Sequence, residues 1–231
     1  MRISVICAMP EEAEKLRSML SHAKQETHGG ILCTVGSYAS HQVVLCISDI
    51  GKANAAATTQ MVIDTFQPEI LLNIGLAGSC SPDLPISGVV VATALMYHDF
   101  FLVFDEEQPL KSGFTPDADL SDRAAEACRV LEFPFKRGIV ATGDQFVADE
   151  DVKKDIVERT GAACVEMEGA AIAQIAQKNA IPFASIKVLS DDASEQALED
   201  FYEVFSIGAY CERSAAIIGE ILSSLQKNPR N

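Results

Sequence analysis

Basic residues are scarce in this chain. Its 231 residues include 33 acidic and only 18 basic side chains, which gives a formal net charge of −15. Duplex nucleic acid and anionic membranes both require clustered Lys and Arg on the protein that binds them. The charge therefore argues against nucleic acid or a membrane surface as a partner, although it does not say what the protein binds.

Long apolar runs are also missing. No stretch approaches the roughly 18 apolar residues that a membrane-spanning helix needs. The apolar segment 3–9 follows a single Arg and is succeeded at once by Pro10, Glu11 and Glu12. Because it is short and is followed so soon by acids, it does not fit a secretory signal.

Motifs for disulfides and metals are absent as well. The seven cysteines form no C-x-x-C pair, and several lie in apolar runs, as Cys7 and Cys46 do. The four histidines form neither an i, i+4 pair nor an H-E-x-x-H motif. We therefore expect buried, reduced thiols in a cytoplasmic protein, and no metal site.

The apolar content is ample for one core. Hydrophobic residues make up 48% of the chain and charged residues 22%, and short apolar runs alternate with helical patterns along its length. This alternation predicts an α/β fold of three layers, α/β/α, with a central mixed sheet. No linker or internal repeat is visible, so we expect a single domain over residues 1–231.

The predicted elements follow from these runs and from the Pro and Gly residues between them. Strands are predicted at 3–8, 31–35, 42–48, 69–74, 88–95, 137–142, 163–167 and 182–189. Helices are predicted at 11–20, 52–66, 120–131, 149–159, 169–179 and 198–225, the last broken near Gly208. The segment 75–78 is interpreted as a tight strand-to-helix turn and 100–119 as a long loop.

Acids gather at the predicted strand ends. Ligands of α/β sheets sit beyond the carboxyl ends of the strands, which singles out segments 9–12, 75–78, 166–168 and 190–191. Three of these four segments carry carboxylates. Converging carboxylates can hold hydroxyl groups, activate water or donate a proton, so the pattern indicates a hydrolytic or proton-transfer site.

Each of these residues also has a structural interpretation. Glu12 could be a solvated acid in the first turn of a helix, and Asp191 could belong to a helix-capping cluster. Glu166 and Glu168 could mark a strand edge followed by a helix start. Phe146 could be a core residue or a ring that stacks on a base. The residues alone leave these alternatives open.

Seven short motifs together resemble a known family. In chain order they are A-M-P-E-E from Ala8, S-D-I-G-K from Ser48, N-I-G-L-A-G from Asn73, Y-H-D from Tyr97, T-G-D-Q-F from Thr142, V-E-M-E-G-A from Val165 and S-D from Ser190. The combination resembles the 5′-methylthioadenosine/S-adenosylhomocysteine nucleosidases of the nucleoside phosphorylase superfamily. The resemblance covers most of the chain, and it implies a nucleoside phosphorylase-like fold and a homodimer that binds a small-molecule nucleoside substrate.

The resemblance also implies roles for single residues. Asp191 matches the general acid that serves N7 of the adenine, Ser190 the residue that orients it, and Glu12 the carboxylate that activates the attacking water. Glu168 and Met167 match the ribose contacts. The other substrate-binding matches are Phe146 stacked on the base, Val147 reading the adenine edge, Ala77 and Gly78 lining base and sugar, and Met9, Ile50 and Phe201 as apolar walls. Glu166 is a further substrate-binding candidate, because alternation around Met167 places it on the face of Glu168.

Three features depart from the family pattern. Leu76 stands where many members have a small residue, and Lys187 stands where an Arg is common that would hold the acid bidentately. The loop 100–119 also differs. In the family this region reaches the neighbouring subunit's site, so Phe104 and Pro109 are candidates to close the 5′ pocket of a homodimer, with a mobile surface loop as the alternative.

The chemistry of such a site fits these groups. Adenine leaves poorly as an anion, and a general acid that protonates its ring contributes about 10²–10⁴-fold in rate. A free Asp has a pKa of about 3.9, so Asp191 needs burial to donate near neutrality. Phosphate binding needs Arg or Lys at the sugar, whereas the first site segment supplies Glu11 and Glu12. Water is therefore the expected nucleophile.

The expected function is hydrolysis of the N-glycosidic bond of 5′-substituted adenosines, such as 5′-methylthioadenosine, S-adenosylhomocysteine and 5′-deoxyadenosine, with release of adenine and no cofactor. A futalosine or aminodeoxyfutalosine hydrolase uses the same chemistry and is the first alternative. A noncatalytic nucleoside-binding protein is the second. The presence of both Glu12 and Asp191 argues against it, because binding alone requires neither a proton donor nor a base.

Overall fold

The computed structural model describes residues 1–100 and 113–226. In these residues nine strands and seven helices follow one another along the chain. In order they are β1 (Arg2–Cys7), α1 (Pro10–Met19), β2 (Ser21–His28), β3 (Ile31–Tyr38), β4 (His41–Ile47), α2 (Lys52–Phe66), β5 (Ile70–Ser79), β6 (Val89–Tyr97), α3 (Ala118–Val130), β7 (Phe135–Thr142), α4 (Glu150–Thr160), β8 (Ala162–Glu166), α5 (Gly169–Lys178), β9 (Phe183–Asp191), α6 (Ala197–Ile207) and α7 (Ala209–Gln226).

The strands form one mixed sheet in the order β2-β3-β4-β1-β5-β8-β7-β6-β9. β1 runs parallel to β4 and β5, and β5 runs parallel to β9, whereas β2, β3 and β4 pair antiparallel. Because β5 also pairs with β9, the last five strands of this order close on themselves. The carboxyl ends of β1, β5 and β9 therefore meet at one edge, where a ligand site is expected.

Helices cover both faces of the sheet. α1, α3 and α7 pack on one face around Leu16, Leu120 and Ile218. α2 and α5 pack on the other face around Ala55 and Ala173. The predicted three-layer α/β/α architecture with a central mixed sheet is confirmed.

The break predicted near Gly208 is confirmed. α6 and α7 are separated by this one residue, whose φ of +67° is left-handed. Glycine adopts that conformation at little cost, so one helical pattern is divided into two helices. None of the helices in residues 1–100 and 113–226 combines the length and the apolarity needed to cross a membrane.

The loop predicted at 100–119 overlaps the start of a helix. α3 begins at Ala118, after its cap Asp117, whose side chain accepts a hydrogen bond from a backbone N–H of the first turn. Phe104 and Pro109, the candidates for contact with a second subunit, lie outside the described residues.

The turn predicted at 75–78 is wrong, because β5 continues through this segment as an extended strand. A Cβ atom on Gly75 would lie 3.0 Å from Oε1 of Glu12, and one on Gly78 would lie 2.8 Å from Oδ1 of Asp191. The two glycines therefore permit the close approach of two carboxylates to the strand and do not mark a change of direction.

Strand β2 has no counterpart among the predicted elements. Its sequence, S-H-A-K-Q-E-T-H, is polar and almost wholly exposed. Such a strand shows neither the alternation of a half-buried strand nor the apolar run of a buried one. It pairs with β3 at the edge of the sheet, where polar and charged side chains discourage further strand pairing.

The expectation of reduced thiols is wrong for two of the cysteines. Cys33 on β3 and Cys46 on β4 form a disulfide. The antiparallel register places them directly opposite each other, with Cα atoms 4.3 Å apart, and no spacing motif in the sequence reveals that register. The free thiols are Cys7, Cys80, Cys128, Cys164 and Cys211.

Candidate active site

A pocket of about 610 Å³, open to solvent, lies at the strand ends. All thirteen residues predicted for one subunit's own site line it, namely Met9, Glu12, Ile50, Ala77, Gly78, Phe146, Val147, Glu166, Met167, Glu168, Ser190, Asp191 and Phe201. Four further lining residues were outside that prediction, namely Ala8, Leu76, Gln145 and Val165.

Glu12 is held by backbone N–H groups on two sides. It lies in the first turn of α1, and its Oε2 accepts hydrogen bonds from the N–H groups of Ala8 at 2.8 Å and Met9 at 3.0 Å. Its Oε1 accepts from the N–H of Leu76 at 3.0 Å. Burial raises the pKa of Glu12, although these N–H groups and the nearby Lys187 lower it. The side chain is buried, so Glu12 is not a solvated first-turn acid.

Asp191 is buried at the end of β9. Its Oδ2 accepts a hydrogen bond from the Ser190 hydroxyl at 2.6 Å, and its Oδ1 accepts from the Ala193 N–H at 2.9 Å. The Ser190 hydroxyl oxygen also lies 3.3 Å from the carbonyl oxygen of Ala77. Burial raises the pKa of Asp191, although the two hydrogen bonds lower it. Asp191 is not a helix cap, because α6 begins only at Ala197.

Glu168 stands directly before α5 and is buried. Its Oε1 accepts a hydrogen bond from the N–H of Gly51 at 2.8 Å. Gly51 has a φ of +102°, a conformation that L side chains rarely adopt. Burial and the neighbouring Glu166 raise the pKa of Glu168 to about 7. This carboxylate therefore titrates close to neutral pH.

Glu166, two residues earlier, is bonded on several sides within the protein. Its oxygens accept hydrogen bonds from the Thr142 hydroxyl and from the N–H of Gly169 at 2.8 and 3.0 Å. Its Oε2 also lies 2.7 Å from the Lys187 ammonium group, and both side chains are buried. Glu166 thus ties β7, β9 and the start of α5 together, and its direct contact with a substrate stays a prediction.

Apolar side chains form the outer wall of the pocket. Ile50 and Phe146 are 53% and 42% exposed, whereas Val147 is buried. The ring of Phe146 meets that of Phe201 edge to face, with centroids 5.8 Å apart. An exposed ring at the wall of a pocket is available to stack on a planar base. This exposure contradicts the alternative that Phe146 is a core residue.

Two loops that carry pocket residues are joined by a group of charges. The Lys52 ammonium lies 2.6 Å from Asp99, the N–H of Asp144 donates to Asp99 at 2.8 Å, and the N–H of Lys52 donates to Asp144 at 2.8 Å. Gly51 directly precedes Lys52, and Phe146 lies two residues after Asp144. These three residues were not predicted as site residues, although each lies in a motif that carries the resemblance.

Comparisons with known proteins identify related sequences and structures. The family model described as the phosphorylase superfamily matches residues 2–223. The 5′-methylthioadenosine/S-adenosylhomocysteine nucleosidase of Bacillus thuringiensis (strain Al Hakam) is 34% identical to this chain over 234 residues, which cover 98% of this chain and 100% of that relative. The chain belongs to the 5′-methylthioadenosine/S-adenosylhomocysteine nucleosidase family. The predicted resemblance is confirmed.

Solved structures of this nucleosidase family have the same fold. The Neisseria meningitidis nucleosidase, in complex with methylthio-immucillin-A, matches with a TM-score of 0.91 and 32% identity, covering 96% of this chain and 99% of that chain. The native futalosine hydrolase of Helicobacter pylori strain 26695 matches with a TM-score of 0.90 and 28% identity, covering 97% and 98%. The predicted nucleoside phosphorylase-like fold is confirmed.

Lys187 forms its ion pair with a different acid from the one that the sequence led us to expect. Its ammonium group lies against Glu166, whereas the sequence suggested that a cation at this position would hold Asp191. The side chain is 1% exposed. A signal was present in the sequence, because a single Lys within the apolar strand 183–191 is almost never buried unless it is paired.

The described lining of this nucleosidase-family pocket contains no Lys or Arg. The ammonium group of Lys187 lies nearby but is bonded to Glu166. An anionic phosphate would therefore meet carboxylates without a free cation in the described part of the pocket.

Over residues 1–100 and 113–226, no group of three or more His, Cys, Asp or Glu side chains is arranged to hold a metal ion.

Proposed function

We propose that this chain hydrolyses the N-glycosidic bond of 5′-substituted adenosines, with water as the nucleophile, and releases adenine. One observation carries the proposal. Two buried carboxyl groups with raised pKa values, Glu12 and Asp191, share a pocket whose described lining holds no cation. Such a pocket suits a neutral nucleoside whose sugar becomes cationic as the bond breaks.

Asp191 is the proposed general acid. Its raised pKa keeps the carboxyl protonated to higher pH than in a free Asp, so it can donate a proton to N7 of the leaving adenine. The Ser190 hydroxyl, 2.6 Å from Oδ2, orients the carboxyl. In this arrangement the ring of Phe146 stacks on the base, and the backbone of Val147 reads the adenine edge.

Glu12 is the proposed base for the attacking water. Three backbone N–H groups fix its carboxylate, so a water molecule bound to it is aimed at the sugar carbon. Its negative charge and that of Glu168 also stabilise the positive charge that develops on the sugar. Glu168, with Met167 beside it, holds the ribose hydroxyl groups.

The apolar wall supports a preference for an uncharged 5′ group. Met9, Ile50 and Phe201 line this side of the pocket, and a thioether gains more from apolar contact than a charged group does. A futalosine-type substrate is the second candidate. The structural match to the futalosine hydrolase of Helicobacter pylori favours that alternative.

A substrate panel tests the proposed function. Adenine release would be measured with and without phosphate on 5′-methylthioadenosine, S-adenosylhomocysteine, 5′-deoxyadenosine, adenosine, inosine and aminodeoxyfutalosine. We expect no dependence on phosphate and a kcat/KM for inosine at least about 100-fold lower, because a site built for adenine leaves polar groups unpaired with inosine. Strict phosphate dependence would contradict hydrolysis, and equal use of inosine would refute the adenine assignment. A higher kcat/KM for aminodeoxyfutalosine would select the second candidate.

We further propose that two copies form a homodimer, with Phe104 and Pro109 of each copy reaching the other's 5′ pocket. The support is the apolar surface beside the pocket, where Ile50, Phe100 and Phe146 are 53%, 49% and 42% exposed. Light scattering at concentrations used for activity is expected to give twice the chain mass of 24.8 kDa. An active monomer would contradict this assembly.

We also propose that each chain is one nucleosidase domain over residues 1–231, working in the cytoplasm without a cofactor, a nucleic acid or a membrane as partner. The five free thiols support a reducing compartment, while the Cys33–Cys46 disulfide is more typical of an oxidising one. The net charge of −15 disfavours polyanionic partners.

A further inference from the structure

We propose that Lys187 and Glu166 form a buried positioning pair that sets the ionisation of Glu168. This inference rests on the proposed function, in which ionised Glu168 holds the ribose and stabilises the sugar cation. The pair acts through its charges and through the backbone that carries Glu168, and it does not itself have to touch the substrate.

The geometry places the pair between the proposed base and the proposed ribose carboxylate. The Lys187 ammonium lies 2.7 Å from Oε2 of Glu166. A Cβ atom on Gly75 would lie 3.0 Å from Oε1 of Glu12 and 3.6 Å from the same ammonium group. Lys187 on β9 and Glu12 on α1 therefore approach the same point of β5. The one ammonium group thus lies near Glu12 on one side and binds Glu166 on the other.

Glu166 transmits this charge to the backbone of Glu168. Its Oε2 accepts a hydrogen bond from the Glu168 N–H at 3.2 Å, and its two oxygens accept from the Gly169 N–H. The Thr142 hydroxyl donates to Oε1 of Glu166 and accepts from the Ala170 N–H at 2.9 Å. The turn that presents Glu168 to the pocket is thus built on the carboxylate that Lys187 neutralises.

The balance of charge makes Glu168 the sensitive member. Three buried carboxyl groups, those of Glu12, Glu166 and Glu168, share one ammonium group. Glu12 receives three backbone N–H hydrogen bonds and Glu166 has the ion pair. In the described part of the chain, the Glu168 carboxylate receives one hydrogen bond, from the N–H of Gly51. Its pKa is raised to about 7 by burial and by Glu166, and Lys187 lowers it.

Four titratable groups around this cluster, two thiols, a phenol and an imidazole, are neutral near pH 7. Burial raises the pKa values of Cys7 on β1 and Cys164 on β8, and it raises that of Tyr97 on β6 to about 12. Burial lowers the pKa of His98. Burial also lowers the pKa of Lys187, but the three carboxylates outweigh it and the net direction is upward. Charge in the cluster therefore resides on Lys187 and the glutamates. The charged side chains next to it are those of Lys52, Asp99 and Asp144, which lie beside Gly51, the donor to Glu168.

Two single variants test the inference by the direction in which each shifts the pH profile of kcat/KM. Protonation of Glu168 predicts that kcat/KM falls on the acid side of the pH profile. Glu12 must stay ionised as well, and Lys187 lowers its pKa too, so the shift that reports Glu168 is the one in Glu166→Gln, because Glu166 raises the pKa of Glu168. Lys187→Met removes the positive charge, so this acid limb should move to higher pH. Glu166→Gln removes the negative charge, so it should move to lower pH. Each shift is expected to be about one pH unit or more, as for charges within a few ångströms.

Two further variants separate charge from structure. The double variant Glu166→Gln/Lys187→Met removes both charges, and its acid limb should lie between those of the single variants. Lys187→Arg keeps the charge and should keep the wild-type limb. Lys136→Met is the matched control. Lys136 forms an exposed ion pair with Asp83, with a nitrogen–oxygen distance of 2.9 Å, and neither residue lines the pocket. This variant should leave the whole profile unchanged.

A merely structural pair would lower kcat/KM at every pH without opposite shifts, and that result would overturn the inference. Shifts of both single variants in the same direction would overturn it as well. If Lys187→Met does not fold, the profiles of Glu166→Gln, Lys187→Arg and the double variant still decide the question. Failure of the proposed function would be seen separately, as absence of adenine release by the wild-type protein at any pH.

Discussion

Asp191→Asn lowers kcat for adenine release by about 10²–10⁴-fold and leaves the protein folded. The amide can donate a hydrogen bond to N7 but cannot transfer a proton, so the adenine must leave as an anion. The local contacts survive, because the amide oxygen accepts from the Ala193 N–H and the amide NH₂ donates to the Ser190 oxygen. The Ser190 hydroxyl can then donate to Ala77, 3.3 Å away. KM should change little, since the lost interaction belongs to the transition state.

Thermal unfolding separates a loss of chemistry from a loss of fold in this variant. Burial raises the folded-state pKa of Asp191, so its contribution to stability is present at low pH and is lost as the pH rises through that pKa. Asp191→Asn removes the cost of ionising a buried carboxyl group at high pH, so its Tm at pH 8 should equal or exceed that of the wild type. Asp192→Asn, an exposed neighbour, should keep the wild-type kcat. Wild-type turnover by Asp191→Asn would contradict its role as the acid.

The candidate site could be predicted because its residues lie at strand ends. Glu12 follows β1, Glu168 follows β8, and Asp191 ends β9. The topology of such a sheet brings those strand ends together. Their residue types then indicate acid–base chemistry, and the motif order supplies the resemblance to a family. The layered fold followed in the same way from apolar runs alternating with helical patterns.

The features that the sequence did not reveal depend on contacts between distant elements. Gly75 and Gly78 have the composition of a turn, but they are small because carboxylates from α1 and β9 press against β5. Cys33 and Cys46 meet only through the register of β3 and β4. The partner of Lys187 lies on β8, 21 positions earlier in the chain, and local patterns do not report which of several acids a buried lysine will meet.

Glu12→Gln is expected to lower kcat by about 10²–10⁴-fold through loss of the base that activates water. The neutral amide also removes one of two negative charges that stabilise the cationic sugar. KM for 5′-methylthioadenosine should change less than kcat, because neither effect belongs to the bound ground state. The measurement is steady-state adenine release for the variant and the wild type. A kcat within about tenfold of the wild type would contradict the assignment of Glu12 as the base.

The fold must be checked in the same variant, because Glu12 carries structure as well as chemistry. Its carboxylate accepts hydrogen bonds from the N–H groups of Ala8, Met9 and Leu76, and an amide offers one oxygen in place of two. At least one N–H then faces an NH₂ group, at a cost of about 1–3 kcal/mol, partly offset because burial penalises the ionised carboxylate. Glu11→Gln changes the exposed neighbour and should preserve both Tm and kcat. A base assignment predicts that the kcat of Glu12→Gln stays low under conditions where its folded fraction matches that of this control.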